Sequence, residues 1–419
     1  MLKKTAIILT ALAIVFTLAA GPALAAGNIK VGGLRVYPYV TFEETYDSNI
    51  YLLSDGEVDS WITRLKPELL LALPMDDFNL EVGGWVKWNW YHGDEDVILT
   101  PGTATSSGII LPGTPIFVDP SDQDSTDWGI SGAFEGAFPG GLSFLVKDAY
   151  SQQWLTASQE FGPGENLKLN ELRGNLGFDI ADRFRVDLDY YNNNFDYDLN
   201  IERDRVENIF AATLYWHFKP KTSLLLEVDY GDFNYDNLDT QGFDRSNYAV
   251  QIFGGVTWRV TGKSTGELKG GYQVKRYDNE SFQPDGEYGV VEGIARHYFT
   301  SRTNIQLALS RGTVEAYSFE NPYYVSNRLY GELNQKFTAK LYGRASAEFQ
   351  NHDYPNDTTV RGVTGNRDDD IVDLGIAAGF DIRRWLNLEL RYDYEDRNST
   401  FNVYEYSVNQ FTFAARGAF

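Results

Sequence analysis

The groups able to do covalent or metal chemistry are few. The chain has four histidines, His92, His217, His297 and His352, and no cysteine. No histidine has a second one at metal-ligand spacing, so a centre of the usual nitrogen–sulfur type has no ligands to build on. A hydrolase needs a histidine with a positioned partner, and His217 and His297 have no recognisable Ser or Asp motif beside them. They read as interfacial side chains. Gly83-Gly84, Gly254-Gly255 and Gly270-Gly271 fall inside strand patterns, where glycine marks a bend and not a phosphate loop. The sequence therefore points away from an enzyme, and no cofactor or metal is expected.

What remains is a set of charged and aromatic residues at alternate positions: Arg185, Asp187, Asp189 and Tyr191; Glu227 and Asp229; Arg344 and Glu348; Glu389, Arg391 and Asp393. On a strand, a spacing of two puts them on one face. Their chemistry is charge and hydrogen bonding, as in the wall of a water-filled lumen. Both charge signs with Tyr among them suit a sugar, and they suit plain water equally.

The elements that carry them alternate cleanly. Phe184, Val186, Leu188 and Tyr190 oppose Arg185, Asp187 and Asp189; Leu386, Leu388, Leu390 and Tyr392 oppose Asn387, Glu389, Arg391 and Asp393. Ile305, Leu307 and Leu309 oppose Asn304, Gln306 and Ser310, and the run from Leu341 to Phe349 repeats the pattern. With the apolar face in lipid, a slip of one residue would place Arg there at about 2–4 kcal/mol near the midplane, so the registers are strongly specified.

Turn signals recur. Pro74-Met75-Asp76-Asp77 and Pro139-Gly140-Gly141 come first, then tight turns near Ala181, Pro220, Thr261, Ser301, Thr338 and Arg384. From the second onward they lie about 40 residues apart, with a longer polar stretch between each pair, which is one hairpin per interval. The longer stretches include 93–123, a candidate constriction loop, and 353–366. Short turns at one rim and long loops at the other are barrel topology. The count is about eighteen strands, from the first near Leu34 to the last ending at Phe419. Pro38 and Pro67 fall inside the first two strands and predict bulges or a frayed seam. Alternation is weak over 127–150, which leaves the strand boundaries within 124–155 open.

The ends agree. Met1-Leu2-Lys3-Lys4 is basic, residues 5–20 are apolar, and Ala23-Leu24-Ala25 has the small-x-small form of a signal-peptidase site. Cleavage after Ala25 is favoured over an uncleaved anchor because the apolar run is short and Gly21-Pro22 follows it. No cysteine follows the site, which excludes a lipoprotein. No later segment approaches the ~18 apolar residues of a membrane helix. At the other end Phe411, Phe413, Ala415, Gly417 and Phe419 alternate, and an aromatic closing strand resembles the signal read by the barrel-assembly machinery.

Composition fits. Tyr 27, Phe 26 and Trp 9 are enough for aromatic girdles at two interfaces, and Trp216, Trp258 and Trp385 sit near short turns while Trp88, Trp90 and Trp154 sit near long loops. The mean hydropathy of -0.35 looks soluble, as it does for a barrel in which only alternate residues meet lipid. A net charge of -23 excludes a nucleic-acid footprint. Acidic outer loops are compatible with divalent cations bridging to lipopolysaccharide, although plain solvation is the favoured reading.

The sharpest local signature is Tyr37-Pro38-Tyr39-Val40, then Glu44-Thr45-Tyr46-Asp47-Ser48-Asn49-Ile50-Tyr51, then the strand 60–69 with its Pro67-Glu68-Leu69. It resembles the first hairpin of the outer-membrane β-barrel porin family found in exopolysaccharide gene clusters. The resemblance implies an outer-membrane channel exporting an exopolysaccharide or capsular polysaccharide, together with a periplasmic polysaccharide export protein. The alternatives are a general or solute-specific diffusion porin for uptake, and a structural barrel scaffold.

The expected fold is all-β: a transmembrane antiparallel up-and-down β-barrel of about 18 strands in the outer membrane of a Gram-negative bacterium, among lipid and lipopolysaccharide. The divisions are 1–25 as cleaved signal peptide, 26–33 as a short periplasmic segment and 34–419 as the barrel. Mass spectrometry of the chain recovered from outer membranes should give an N-terminus at Ala26; retention of residues 1–25 would establish the anchor instead.

Overall fold

The computed structural model describes residues 29–93, 97–99, 116–156, 158, 164–239, 242–278, 285–316, 320–360 and 362–419. The signal segment with Ala23 and Ala25 lies outside these residues, as does most of 93–123. Within that stretch are two short paired strands, Val97–Leu99 and Ile116–Val118, and a 3-10 turn, Pro120–Gln123.

Eighteen strands form the wall. They are β1 Leu34–Asp47, β2 Ser60–Pro74, β3 Phe78–His92, β4 Ser125–Ala137, β5 Leu142–Leu155 and β6 Glu165–Ile180. Next come β7 Phe184–Tyr197, β8 Arg205–Lys219, β9 Thr222–Tyr235, β10 Asn247–Thr261, β11 Ser264–Tyr277 and β12 Gly286–Tyr298. The last are β13 Thr303–Glu315, β14 Tyr323–Lys336, β15 Leu341–Val360, β16 Val363–Arg383, β17 Leu386–Ser399 and β18 Tyr406–Ala418. Each pairs antiparallel with its neighbours in sequence, and β1 pairs with β18 from Tyr39↔Ala418 to Asp47↔Gln410, which closes the barrel. Closure leaves no open edge through the membrane-spanning part of the wall.

The pairings also fix the dimensions. Followed once around the wall, perpendicular to the strands, they return to β1 about 22 residues out of step, a shear that tilts the strands by ~40° and gives a backbone diameter of roughly 35 Å. The outward face carries the alternating apolar set: Leu226 is 53% exposed and Leu390 63%. A soluble core is missing from this design. Buried apolar side chains gather instead at the long-loop rim, where Ile50, Tyr51, Leu53, Val58, Ile62 and Tyr91 form one cluster.

Two expectations need correction. Residues 353–366 are not a loop but the end of the longest hairpin, β15–β16. There Thr358↔Gly365, Thr359↔Thr364 and Val360↔Val363 pair, and Gly362 turns with φ +80°. β-Branched side chains and a left-handed glycine outweigh the turn signal of Pro355-Asn356-Asp357, which leaves only a register shift between Asp353 and Asp357. Pro38 and Pro67 cause no bulge, since Pro38↔Leu69 and Val40↔Pro67 stay in one register. The missing donor shows as a gap in the β2–β3 ladder between Leu65↔Trp88 and Glu68↔Trp85. Ahead of β1, Ile29–Val31 pairs back on Leu34–Val36.

The Tyr46-Asp47-Ser48-Asn49 signature fastens the seam. Asp47 Oδ1 accepts from Asn49 N at 2.9 Å, and Asp47 Oδ2 accepts from Gln410 Nε2 at 2.7 Å. Asn49, fully buried, accepts from Leu53 N at 2.9 Å and donates to Leu53 O at 2.9 Å and Ser407 O at 3.2 Å. Ser48 Oγ accepts from Asn409 N at 2.9 Å. The first loop is thus tied to β18 at the point of closure. Asn49→Ala strands these buried partners and should cost about 1–3 kcal/mol, read from urea unfolding in lipid vesicles; an unchanged midpoint would deny the fastening.

Candidate functional site

The register places all eleven candidate residues on the face opposite the exposed Leu, Ile and Phe side chains, in two groups. In the first, Arg185 contacts Asp187 at 2.8 Å and Asp179 at 3.1 Å, Asn175 donates to Asp189 at 3.0 Å, and Arg173 lies over the Tyr191 ring at 5.2 Å. Glu227 accepts from Thr213 at 3.2 Å and from Lys269 at 2.5 Å, while Lys269 also reaches Glu292 at 2.9 Å. Asp229 lies beside Ala211 and Gln251 on the same face. In the second group, Arg328 holds Glu348 through two contacts of 2.6 Å. Arg344 meets Glu389 at 3.3 Å, Tyr342 donates to Glu389 at 2.9 Å, and Arg391 meets Asp393 at 2.6 Å.

These are ladders of mixed sign, in which most of the charges are held by a neighbour two residues along the strand or one or two strands away. Sequence reasoning missed Lys269, Glu292, Arg328, Asp373 and Glu395, although the same spacing of two marks them. Asp373 and Glu395 join Tyr330, Ser346, Glu348, Asp393 and Gln410 around a recess of about 260 Å³ in the inner wall. Carboxylates outnumber cations around it.

Phe411 and Phe413 face outward, 53% and 39% exposed. Phe419 differs: it is 8% exposed and stacks on Trp385 with ring centroids 6.0 Å apart. The histidines stay apart. His92 Nε2 lies 2.7 Å from Thr63 Oγ1, His217 Nδ1 lies 2.6 Å from Ser223 Oγ, His297 packs on Phe299, and His352 on Tyr324.

The mouth at the long-loop rim has a feature that no spacing rule announced. The ladder between β12 and β13 stops at Val291↔Arg311, although both strands continue. Above that point β13 parts from β12 and the tip of the β13–β14 hairpin tucks inside the wall, while β14 stays laddered to β15 as far as Val325↔Asp353. Glu315, outward by parity, pairs instead with Lys275 of β11, and it accepts from Tyr235 of β9 at 2.8 Å. Lys275 also donates to Asn247 at 2.7 Å. Arg245 donates to Ala316 O at 2.7 Å and Pro322 O at 3.2 Å, and the Tyr288 and Tyr323 hydroxyls lie 2.8 Å apart.

Lys275 and Arg245 are each 1% exposed. The hairpin tip is held from its far side as well: Asn321 bonds Asn356 N at 2.8 Å and Thr358 Oγ1 at 3.0 Å, and Glu320 accepts from Thr359 N at 2.8 Å. Burial pushes the Glu320 carboxyl above its usual range, against that hydrogen bond.

A closed eighteen-strand barrel with charged ladders inside and apolar residues outside is a porin's design, and the family comparison agrees. The family described as "Putative beta-barrel porin 2" matches residues 152–419. The chain belongs to this family. It is an outer-membrane β-barrel porin, crossing the membrane many times. No curated protein matches it.

Among solved structures, OpdK of Pseudomonas aeruginosa is similar at 7% identity, with 92% of this chain and 99% of that one covered and a TM-score of 0.46. OpdK with vanillate gives 8% identity, coverage of 92% and 99%, and a TM-score of 0.47. OccAB4 of Acinetobacter baumannii gives 11%, coverage of 92% and 98%, and 0.46. Likeness at this level adds nothing to the strand count and register described above.

The buried pair sets the prediction for the mouth. Glu315→Ala leaves Lys275 buried without its carboxylate, a loss of about 3–5 kcal/mol when one partner of such a pair is removed. The hairpin should then release. Proteolysis within 316–322 on whole cells should accelerate and single-channel conductance should rise; both unchanged would show that the hairpin stays docked without the pair.

Proposed function

We propose that this porin is a passive, water-filled channel for small hydrophilic solutes, favouring cations and neutral polar molecules. The observation that carries the reading is the mouth. A hairpin folded inside the wall and pinned at Lys275, Glu315 and Arg245 obstructs a polymer more than a small solute. Arg185, Asp187, Asp189, Tyr191, Glu227, Asp229, Arg344, Glu348, Glu389, Arg391 and Asp393 are proposed to line the pore. The carboxylate-rich recess at Glu348, Asp373 and Glu395 supports the cation preference. Barrels of 16–18 strands leave an aqueous channel.

The second reading is export of an exopolysaccharide with a periplasmic polysaccharide export protein. Its support is the first-hairpin signature from Tyr37 to Leu69, and the Tyr and Asn side chains among the lumen charges. Residues 1–25 would act as the leader that sends either kind of channel across the inner membrane, and Phe411, Phe413 and Phe419 would address the assembly machinery.

Planar-bilayer recording separates these readings. The diffusion porin predicts steady ohmic conductance, with a reversal potential in a KCl gradient that reports excess potassium flux and shifts toward zero in Glu348→Gln/Glu395→Gln. Loss of surface polysaccharide in a clean deletion, with growth on single carbon sources unchanged, would replace it with the export reading.

A further inference from the structure

The outward face of a membrane barrel should carry no charge within its apolar band, because Asp, Lys or Arg there is costly. One residue breaks the rule. Asp148 lies on β5 between Val146 and Tyr150, opposite Gly132 of β4 and Leu172 of β6. It shares the outward face with Val146, 49% exposed, and with Ile130 of β4, 55% exposed, and is itself exposed.

Its height can be read along its own strand. Phe144 marks the short-turn belt, where it packs with Phe78, Phe134 and Phe138, and Trp154 lies at the opposite belt. The ~10 residues between them rise about 25 Å at a tilt of ~40°, the height of the apolar band. Asp148 therefore sits near mid-membrane. Among the described residues, the register puts no other charged side chain on the outward face at that depth. Glu44 and Arg311, the nearest exceptions, lie higher, at the aromatic belt: Glu44 is beside Trp61 and accepts from Thr63 Oγ1 at 2.8 Å, and Arg311 donates to Gly289 O at 3.1 Å.

The surroundings of Asp148 are shaped for contact. Among the described residues it accepts a hydrogen bond from Asn170 Nδ2, at 2.9 Å on the exposed face. Gly132 and Gly174 flank it: a Cβ on Gly174 would meet nothing within 4 Å, and one on Gly132 only Glu81 O at 3.9 Å. The face is thus a shallow depression with a carboxyl at its centre.

We propose that this β4–β5–β6 face is where a second copy of the chain docks. Symmetry supplies the argument. Copies in one membrane share an orientation, so a two-fold axis along the membrane normal brings equal heights of one face together. Asp148 then meets the partner's Asp148, the glycine positions let the walls approach, and the two carboxyls share one proton as a hydrogen-bonded acid–carboxylate pair. A lipid tail offers no such bond, and among the described residues the outward face offers no cation at that depth for a heterologous contact. The proposal rests on the barrel and not on what passes through it.

The chain has no cysteine, so single-cysteine variants need no altered background. Val146→Cys in native outer membranes, treated with a short bis-thiol linker, should give a dimer of this chain as the main product. Leu268→Cys, on the far wall at β11, should give several-fold less. Gly132→Trp added to Val146→Cys fills the depression from outside and should abolish the product, while heat-modifiable migration shows an intact barrel. Any of three results overturns the proposal: no dimer together with a single-chain mass in nanodiscs, equal yields from the two positions, or linkage to another protein.

Discussion

Everything in this structure depends on the need to pair every backbone amide and carbonyl that meets lipid. Hydrocarbon supplies no hydrogen bonds, so a sheet can cross it only by closing on itself. The closing ladder, between β1 and β18, joins residues more than 360 positions apart and is among the shorter ones in the wall. It is reinforced just outside the membrane by Ser48 and the buried Asp47 and Asn49, which hold the first loop to β18. A signature that reads as a family badge has a mechanical use at the place where the chain must find its own beginning.

Where lipid no longer imposes the constraint, the ladder is abandoned. Above Val291↔Arg311 the strands β12 and β13 part, and side chains replace backbone pairing as the organising force. Lys275, Glu315, Tyr235 and Arg245 are buried there at the cost of desolvation, which only mutual contacts offset. Arg311 marks the fork and donates to Gly289 O at 3.1 Å, so the first orphaned carbonyl above the split is satisfied. The rigid lower wall and the side-chain-built mouth are two solutions in one chain, separated by the membrane surface.

Much of this was legible in the sequence. Period-two alternation carried the strand count and the registers, because a one-residue slip reverses every side chain. It failed in particular places with particular causes. Around 127–150 the pattern is weak because the outward face there holds Gly132 and Asp148, neither of which looks apolar. Residues 353–366 read as a loop because Pro, Asn and Asp precede a turn that a glycine at φ +80° makes tight. Glu315 was invisible as a mouth residue because its parity assigns it outward, and only a strand leaving the sheet reverses that. The first-hairpin signature lies wholly outside the matched residues 152–419, so it and the family match speak from different parts of the chain.

The inturned tip of the β13–β14 hairpin separates two properties that a simple barrel couples. In an ordinary cylinder, aperture follows strand number and shear, and a change in either re-registers every neighbour. Here the opening is set by a hairpin tip that parts from β12 above the bilayer, stays laddered to β15 on its other side and is held inward by a handful of side chains. Insertions or exchanges within 316–322 can retune passage while the membrane-embedded staves, and the assembly that builds them, remain as they are. Such a chain is free to drift in what it admits without relearning how to fold.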